Sequence, residues 1–182
     1  MRPSAPRVVP PALASAIRSV AAVLAIVAAL PAVAFDLQGH RGARGLRPEN
    51  TLAAFAHAMA IGVTTLETDL GVTKDGVLVI AHDPWLNPDI VRSPDGRWLA
   101  TQGPAIRTLT LAELKRYDVG RLNPRSKYAR QLPEQRPEDG ERFPTLLELF
   151  ELTRAAGRPV RFNIETKITP ANPDETVDPA GI

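Results

Sequence analysis

Residues that can perform acid–base and metal chemistry recur where predicted strands end. His40 and His82 each directly follow an apolar stretch, and Glu67 and Asp69 lie within a third such segment. Alternate side chains of an extended strand share a face, so Glu67 and Asp69 are expected to point the same way, roughly 7 Å apart at about 3.3 Å per residue. Without a cation, two such carboxylates would repel each other and lose hydration. The pattern therefore indicates a histidine acid–base pair beside a metal ion.

Strand and helix signals predict how these residues are positioned. The predicted strands are residues 35–39, 63–70, 77–81 and 158–168. Asn50 is the expected N-cap of a helix over 51–61, which Gly62 ends. The turn at 74–76 is too short to contain a helix, so the strands on either side of it are expected to form a hairpin-like extension or to be linked irregularly.

The sequence pattern of the second half of the chain predicts two more helices and a last strand. Thr-x-x-Glu capping boxes at 110–113 and 145–148 are each expected to begin a helix. The connection over about 83–143 is rich in turn residues and contains both Trp residues, which favours an ordered insertion over a linker. Glu165 and Lys167 share one face of the last strand. Strands that alternate with helices favour a parallel α/β fold.

The N-terminus has the layout of a secretory signal peptide. Three arginines accompany an apolar run over residues 20–30, and the small residues 32–34 follow it. This run is much shorter than the roughly 20 residues that a membrane-spanning helix needs. We therefore predict a signal peptide over residues 1–34 with cleavage near Ala34, export to the periplasm or outside the cell, and no stable membrane insertion after cleavage.

Composition excludes several classes of protein. The chain of 182 residues has no Cys, which excludes thiolate catalysis, disulfides and cysteine-bound metals. Residues 1–34 contain three of the 22 Lys and Arg and none of the 20 Asp and Glu, so their removal changes the formal net charge from +2 to 19 − 20 = −1. A near-neutral chain without a basic run lacks the electrostatic surface that binds nucleic acid. An anionic partner is therefore expected to be a small molecule that is recognised locally.

Five short segments, taken in order, resemble the glycerophosphodiester phosphodiesterase family. They are His40-Arg41-Gly42 with Pro48-Glu49-Asn50-Thr51, Glu67-Thr68-Asp69, Thr73-Lys74-Asp75-Gly76, His82-Asp83 and Asn163-Ile164-Glu165-Thr166-Lys167. The resemblance implies a (β/α)8 barrel of the TIM type, with a metal site at the C-terminal mouth of the strands and an inserted subdomain after the second histidine. It also implies hydrolysis of a glycerophosphodiester to sn-glycerol 3-phosphate and an alcohol, assisted by Ca²⁺ or Mg²⁺.

The resemblance also implies the site residues. Matched position by position, the catalytic pair is His40 and His82, the metal ligands are Glu67, Asp69 and Glu165, and the substrate contacts are Arg41 and Lys167. The chemistry agrees, because a phosphodiester must have its charge neutralised before a nucleophile approaches, and carboxylate oxygens suit Ca²⁺ or Mg²⁺. A chain with no Cys and few His is a poor match for Zn²⁺. Imidazole, with an ordinary pKa of about 6.5, can act as either acid or base near neutral pH.

Several alternatives stay open at this point. The attacking group is either water or the glycerol 2-hydroxyl, and either histidine can be the base. Lys167 is either a substrate contact or only an ion-pair partner of Glu165, and Arg41 stands similarly. Glu49 is interpreted as a favourable charge at the N-terminus of the following helix rather than as a supporting acid. His57 lies in the middle of a predicted helix and is assigned a packing or surface role.

The length of the chain adds two further hypotheses. A (β/α)8 barrel takes about 250 residues, so residues 35–182 are expected to contain only its N-terminal half, with Glu165 on the fourth strand and a cut through a loop at the end. One alternative function is a phospholipase D-like hydrolase or lyase that acts on lyso- or sphingolipids. The other is an inactive truncated remnant. The sequence predicts no oligomeric state.

Overall fold

A computed structural model describes residues 35–168 and residue 176, so the predicted signal peptide lies outside the described residues. In chain order the elements are β1 (Gln38–Gly39), α1 (Leu52–Ala60), β2 (Thr65–Val72), β3 (Leu78–Ile80), a 3-10 helix (Ile106–Thr108), α2 (Leu111–Leu114), α3 (Lys127–Gln131), α4 (Leu146–Ala155) and β4 (Arg161–Thr166). Within residues 35–168, none of the helices has the length and apolar character needed to cross a bilayer.

Strand β2 is the centre of the sheet. It pairs in parallel with β1 along one edge and with β4 along the other. The third strand, β3, pairs antiparallel with the C-terminal end of β2, on the same edge as β1. This confirms the parallel α/β arrangement and the hairpin-like pairing that the sequence predicts. Because β3 runs antiparallel, β4 is the third parallel strand among the described residues. Glu165 thus lies on the fourth strand in chain order, as expected, but on the third parallel strand of the part of the chain that the structure describes.

One core cluster joins α1, β2, β3 and α4. Its buried members are Phe55, Ala58, Met59, Val63, Leu66, Ile80 and Leu149. The N-cap of α1 is Thr51, whose hydroxyl accepts a hydrogen bond from the backbone N–H of Ala54 at 3.1 Å. Asn50 precedes the cap with a left-handed φ of 55°. The predicted cap at Asn50 is therefore wrong. Its side-chain amide does not cap the helix but donates a hydrogen bond to Asp69.

Both predicted capping boxes are present. Thr110 and Glu113 begin α2, and Thr145 and Glu148 begin α4, each pair bonded reciprocally. The helical period of the sequence predicts Leu146, Leu149, Phe150 and Thr153 on the inner side of α4, and Leu149 and Thr153 are buried there. Phe150, which is expected on the same side, is instead 40% exposed, and its ring meets that of Phe162 edge-on at 5.0 Å.

Residues 83–143, called here the long connection, fold around a second core cluster. Its buried members are Leu86, Val91, Ile106, Leu114, Val119 and Phe143, together with Val79 and Ala81. Short backbone bridges pair Trp85 with Ala105, and Arg92 with both Trp98 and Asp118. The segment is therefore ordered, as the sequence predicts. Helix α3 is not predicted, because it has no buried residue and so no apolar periodicity to reveal it.

Asp118 ties distant parts of the long connection together. Its carboxylate accepts hydrogen bonds from Arg92 Nη2 at 2.9 Å, from the Gly120 N–H at 2.8 Å and from the Gly140 N–H at 2.9 Å. Burial acts to raise the pKa of Asp118, but these hydrogen bonds outweigh it and hold the pKa below its ordinary value. The fold therefore stabilises the ionised carboxylate.

We expect Asp118→Asn to lower the free energy of unfolding by roughly 1–3 kcal/mol at pH 7, the cost of losing hydrogen bonds to a charged group. Because the folded pKa is depressed, this stabilisation is present above the unfolded value of 3.8 and is lost as the pH falls through the folded value. Urea denaturation should therefore give a constant difference from wild type between neutral pH and about pH 5, which shrinks below about pH 4.

The matched control is Asp89→Asn, because the Asp89 carboxylate makes no side-chain hydrogen bond within the described part of the chain. That variant should unfold with nearly the wild-type free energy. A deficit in Asp118→Asn that stays unchanged into strong acid would contradict the assignment.

Candidate active site

Three carboxylates meet on one face of the sheet where β2 and β4 run side by side. Glu67 and Asp69 alternate along β2, and the parallel register places Glu165 of β4 opposite Asp69. One oxygen from each carboxylate lies within 4.8 Å of the other two. The sequence prediction that these acids point the same way is confirmed, and the group has the composition of a site for a hard cation.

Asp69 is the buried member of this group, with 1% of its surface exposed. The amide of Asn50 donates a hydrogen bond to its Oδ2 at 3.1 Å, and Arg41 Nε lies 3.5 Å from the same oxygen. Lys167 Nζ lies 3.1 Å from Asp69 Oδ1 and 2.8 Å from Glu165 Oε2. Burial acts to lower the pKa of Lys167, but its contacts with the two acids raise it. The ion pair of Lys167 and Glu165 that the sequence left open is therefore present.

The backbone of the loop over residues 40–50 is shaped to reach these acids. Arg41 has a left-handed φ of 51°, and its N–H donates to Glu67 Oε2 at 2.7 Å. Gly42 follows at a φ of 79°, and a Cβ there would lie 2.8 Å from the backbone and side chain of Ala54. Only glycine fits this approach of the loop to α1 without displacement.

His40 contacts the acids directly, whereas His82 does not. His40 Nε2 lies 3.8 Å from Glu67 Oε2, with the side chain 52% exposed. Burial and the charge of Arg44 lower the pKa of His40 from its ordinary value. His82 makes no hydrogen bond to the three carboxylates, but it lines a cavity together with Glu49 and Asn50, whose side chains reach the loop and Asp69.

His82 is held by a neighbour that the sequence analysis did not assign. Its Nδ1 lies 2.9 Å from Asp83 Oδ1, and Asn87 donates to Asp83 Oδ2 at 2.6 Å. Burial acts to raise the pKa of Asp83, but the hydrogen bonds from His82 and Asn87 hold it below its ordinary value. When Nδ1 carries the proton, Nε2 is left as the acceptor that a general base requires. The adjacency of His82 and Asp83 in the sequence is the signal that could have revealed this pair.

Glu49 is an ion-pair partner of Arg41 and not only a charge at the N-terminus of a helix. It is 6% exposed, and its Oε1 accepts a hydrogen bond from Arg41 Nη1 at 2.9 Å. Burial acts to lower the pKa of Arg41, but Glu49 and Asp69 raise it, so the guanidinium stays charged. The other oxygen of Glu49 accepts a hydrogen bond from the hydroxyl of Tyr128 on α3. Tyr128 lies far along the sequence in a segment without motif or periodicity, so sequence analysis could not have found it.

Comparison with known proteins places the chain in a family. Residues 40–179 match the model of the Glycerophosphoryl diester phosphodiesterase family, and the chain belongs to that family. A glycerophosphodiester phosphodiesterase of Caldanaerobacter subterraneus subsp. tengcongensis is 38% identical over 113 residues, which are 62% of this chain and 38% of that protein.

Solved structures confirm the fold. A Silicibacter pomeroyi protein assigned as a glycerophosphoryl diester phosphodiesterase has a TM-score of 0.74 at 38% identity, over 84% of this chain and 50% of that one. An Oleispira antarctica phosphodiesterase, solved with the product sn-glycerol-3-phosphate, has a TM-score of 0.54 at 32% identity, over 78% and 48% of the two chains. The fold is therefore of the TIM-barrel type, and this chain spans about half or less of these relatives.

We expect Asn50→Gly to destabilise the chain by roughly 1–3 kcal/mol, because glycine keeps the left-handed backbone but leaves the buried Asp69 without its amide donor. Asn50→Asp tolerates the same backbone but sets a second carboxylate against Asp69, so it should destabilise further. The measurement is urea denaturation with EDTA present, so that no added cation offsets the charge. Equal stability of the two variants would contradict this account of Asn50.

Proposed function

We propose that this chain carries the catalytic groups of a metal-dependent phosphodiesterase that hydrolyses glycerophosphodiesters to sn-glycerol 3-phosphate and an alcohol. The observation that carries the proposal is the meeting of Glu67, Asp69 and Glu165 within 4.8 Å on adjacent parallel strands, in a member of this family. The product bound to the Oleispira antarctica relative supports the choice of substrate. Export, proposed from the pattern of residues 1–34, would place this activity in the periplasm or outside the cell.

The three acids fit Ca²⁺ or Mg²⁺ as the resident cation. Their donors are all hard carboxylate oxygens, which these two ions prefer. Glu67, Asp69 and Glu165 would hold the ion, and the ion would supply positive charge that neutralises the phosphodiester. Lys167 already lies against two of the acids, so it is suited to share a bound anion with the cation site.

The proton transfers are assigned to His40 and His82. One imidazole accepts a proton from the attacking oxygen and the other donates one to the leaving alkoxide. The contact of His82 with Asp83 orients its ring. Arg41 and Lys167 are proposed to bind the phosphoryl oxygens, since a fixed guanidinium and an ammonium both suit that charge.

A second candidate substrate class is a lysophospholipid cleaved by the same groups. An apolar cavity lies beside the acids, lined by Leu70, Val72, Leu78 and Ile106, with Asp83 and Lys167 also in its wall. The apolar wall of this cavity is the observation that favours the class, because an acyl chain packs against such a surface. Parallel assays on glycerophosphocholine and lysophosphatidylcholine distinguish the two classes.

We expect His40→Gln and His82→Gln each to lower the rate of glycerophosphocholine hydrolysis by about 10²–10⁴-fold, the usual contribution of general acid–base catalysis. The matched control is His57→Gln on α1, which should keep the wild-type rate. The assay measures release of sn-glycerol 3-phosphate under saturating cation. Wild-type rates in either site variant, with the product still formed, would refute the histidine assignment.

We expect Ca²⁺ or Mg²⁺ to raise the melting temperature of the wild-type chain, because an ion that binds only the folded state stabilises it by about 2.7 kcal/mol at 100 times its Kd. Glu165→Gln should weaken this effect. Glu134→Gln, which alters an exposed acid in the long connection, should preserve it. Differential scanning fluorimetry gives the shifts, and a wild-type chain that responds to neither ion would favour the inactive remnant.

A further inference from the structure

The long connection is fastened to the loop that carries His40 and Arg41. Gln135 Nε2 donates to the backbone carbonyl of Arg44 at 2.7 Å, and the Arg136 N–H donates to that of Leu46 at 3.0 Å. Arg47 Nε lies 3.1 Å from Glu138 Oε1. Three separate polar contacts therefore join the segment after α3 to the loop.

A fourth contact joins the long connection to the buried side chain of Glu49 in the same loop. The hydroxyl of Tyr128 donates to Glu49 Oε2, while Glu49 Oε1 accepts from Arg41 Nη1. Arg44 Nη1 in turn donates to the Tyr128 oxygen at 3.4 Å. Burial and the charge of Glu49 raise the pKa of Tyr128, so its hydroxyl keeps its proton and stays a donor to the carboxylate. One carboxylate thus links the long connection to the guanidinium in the site.

The position of Arg41 depends strongly on that carboxylate. Arg41 Nε is buried and makes no hydrogen bond among the described residues, and it lies 3.5 Å from Asp69. The hydrogen bond from Nη1 to Glu49 is therefore the contact that fixes the plane of the guanidinium. If the Glu49 carboxylate could rotate, the plane of the Arg41 guanidinium would not be fixed. Tyr128 restrains this rotation, because it donates a hydrogen bond to the second oxygen of Glu49.

We propose that Tyr128 is a positioning residue, which holds Glu49 in the orientation that aims the Arg41 guanidinium at a phosphoryl group. The proposal rests on the proposed function, because it takes Arg41 as a phosphate contact. It gives the long connection a direct part in binding the substrate class, beyond packing. It also predicts that removing a single oxygen atom on α3 affects the recognition of a phosphate monoester.

The test compares Tyr128→Phe with Tyr117→Phe, a matched change in the same connection whose hydroxyl makes no hydrogen bond among the described residues. Binding of sn-glycerol 3-phosphate is measured by calorimetry, and melting temperatures are recorded in parallel. Tyr128→Phe should bind roughly three- to tenfold more weakly, a loss of the size that one ordinary hydrogen bond contributes, because the hydroxyl acts on the ligand only through Glu49 and Arg41. Tyr117→Phe should bind as wild type does. In a Glu49→Gln background, Tyr128→Phe should have little further effect, because the two residues act as a unit.

Two results would overturn the inference. One is that Tyr128→Phe binds sn-glycerol 3-phosphate with wild-type affinity, whether or not its melting temperature falls. The other is an undiminished loss in the Glu49→Gln background, which would mean that Tyr128 does not act through Glu49.

A ligand-free measurement separates failure of the inference from failure of the proposed function. The ¹⁵Nε–Hε signal of Arg41, identified by its absence in Arg41→Lys, should shift or broaden in Tyr128→Phe and stay in place in Tyr117→Phe. If the wild-type chain binds no sn-glycerol 3-phosphate while this signal responds, the positioning contact stands and the phosphodiesterase proposal fails. An Arg41 signal that ignores Tyr128→Phe refutes the positioning role itself.

Discussion

The buried carboxylate of Asp69 sets conditions that the rest of the site has to meet. An ionised carboxylate removed from water is costly unless hydrogen-bond donors or opposite charges surround it. Three groups do so here: the amide of Asn50 donates a hydrogen bond, and the charged groups of Lys167 and Arg41 lie 3.1 Å and 3.5 Å away. Asn50 and Arg41 belong to the loop over residues 40–50, whereas Lys167 follows β4. The sheet register, the loop and the last strand must therefore be in place together before the buried carboxylate of Asp69 has its polar partners.

The loop over residues 40–50 meets this condition through its backbone. Arg41 and Asn50 are the two residues other than glycine with a positive φ in the described part of the chain. Such a conformation costs about 1–2 kcal/mol for a residue with a Cβ and persists where the surroundings compensate it. In both residues the polar group that results reaches an acid: the N–H of Arg41 meets Glu67, and the amide of Asn50 meets Asp69. The backbone strain is thus located where the acidic cluster needs donors.

Local pattern was enough to predict the parts of the site that depend on a single element. The two-residue period of β2 places Glu67 and Asp69 on one face, and the capping boxes correctly begin α2 and α4. Asn50 was misassigned because both Asn and Thr favour N-caps, and the choice between them depends on a backbone angle that composition does not determine. The exposed position of Phe150 likewise reflects packing against β4 rather than helical period.

Contacts that join distant elements were beyond local pattern. The register that brings Glu165 beside Asp69 requires knowing which strands are neighbours, and here the motif resemblance supplied what periodicity could not. Neither periodicity nor the motif resemblance could predict the hydrogen bond from Tyr128 to Glu49, because α3 has no buried residue and lies outside the matched motifs.

The separate core of the long connection explains how such a distant residue can hold Glu49 in place. A flexible arm of this length would have to lose much of its conformational entropy on docking to the loop. The long connection has instead ordered itself around its own buried cluster and the hydrogen bonds of Asp118. Tyr128 therefore approaches Glu49 as part of a folded unit, and only the few side chains at the contact still have freedom to lose. A pair of hydrogen bonds can then fix an orientation, because the scaffold on each side has already been stabilised by its own core.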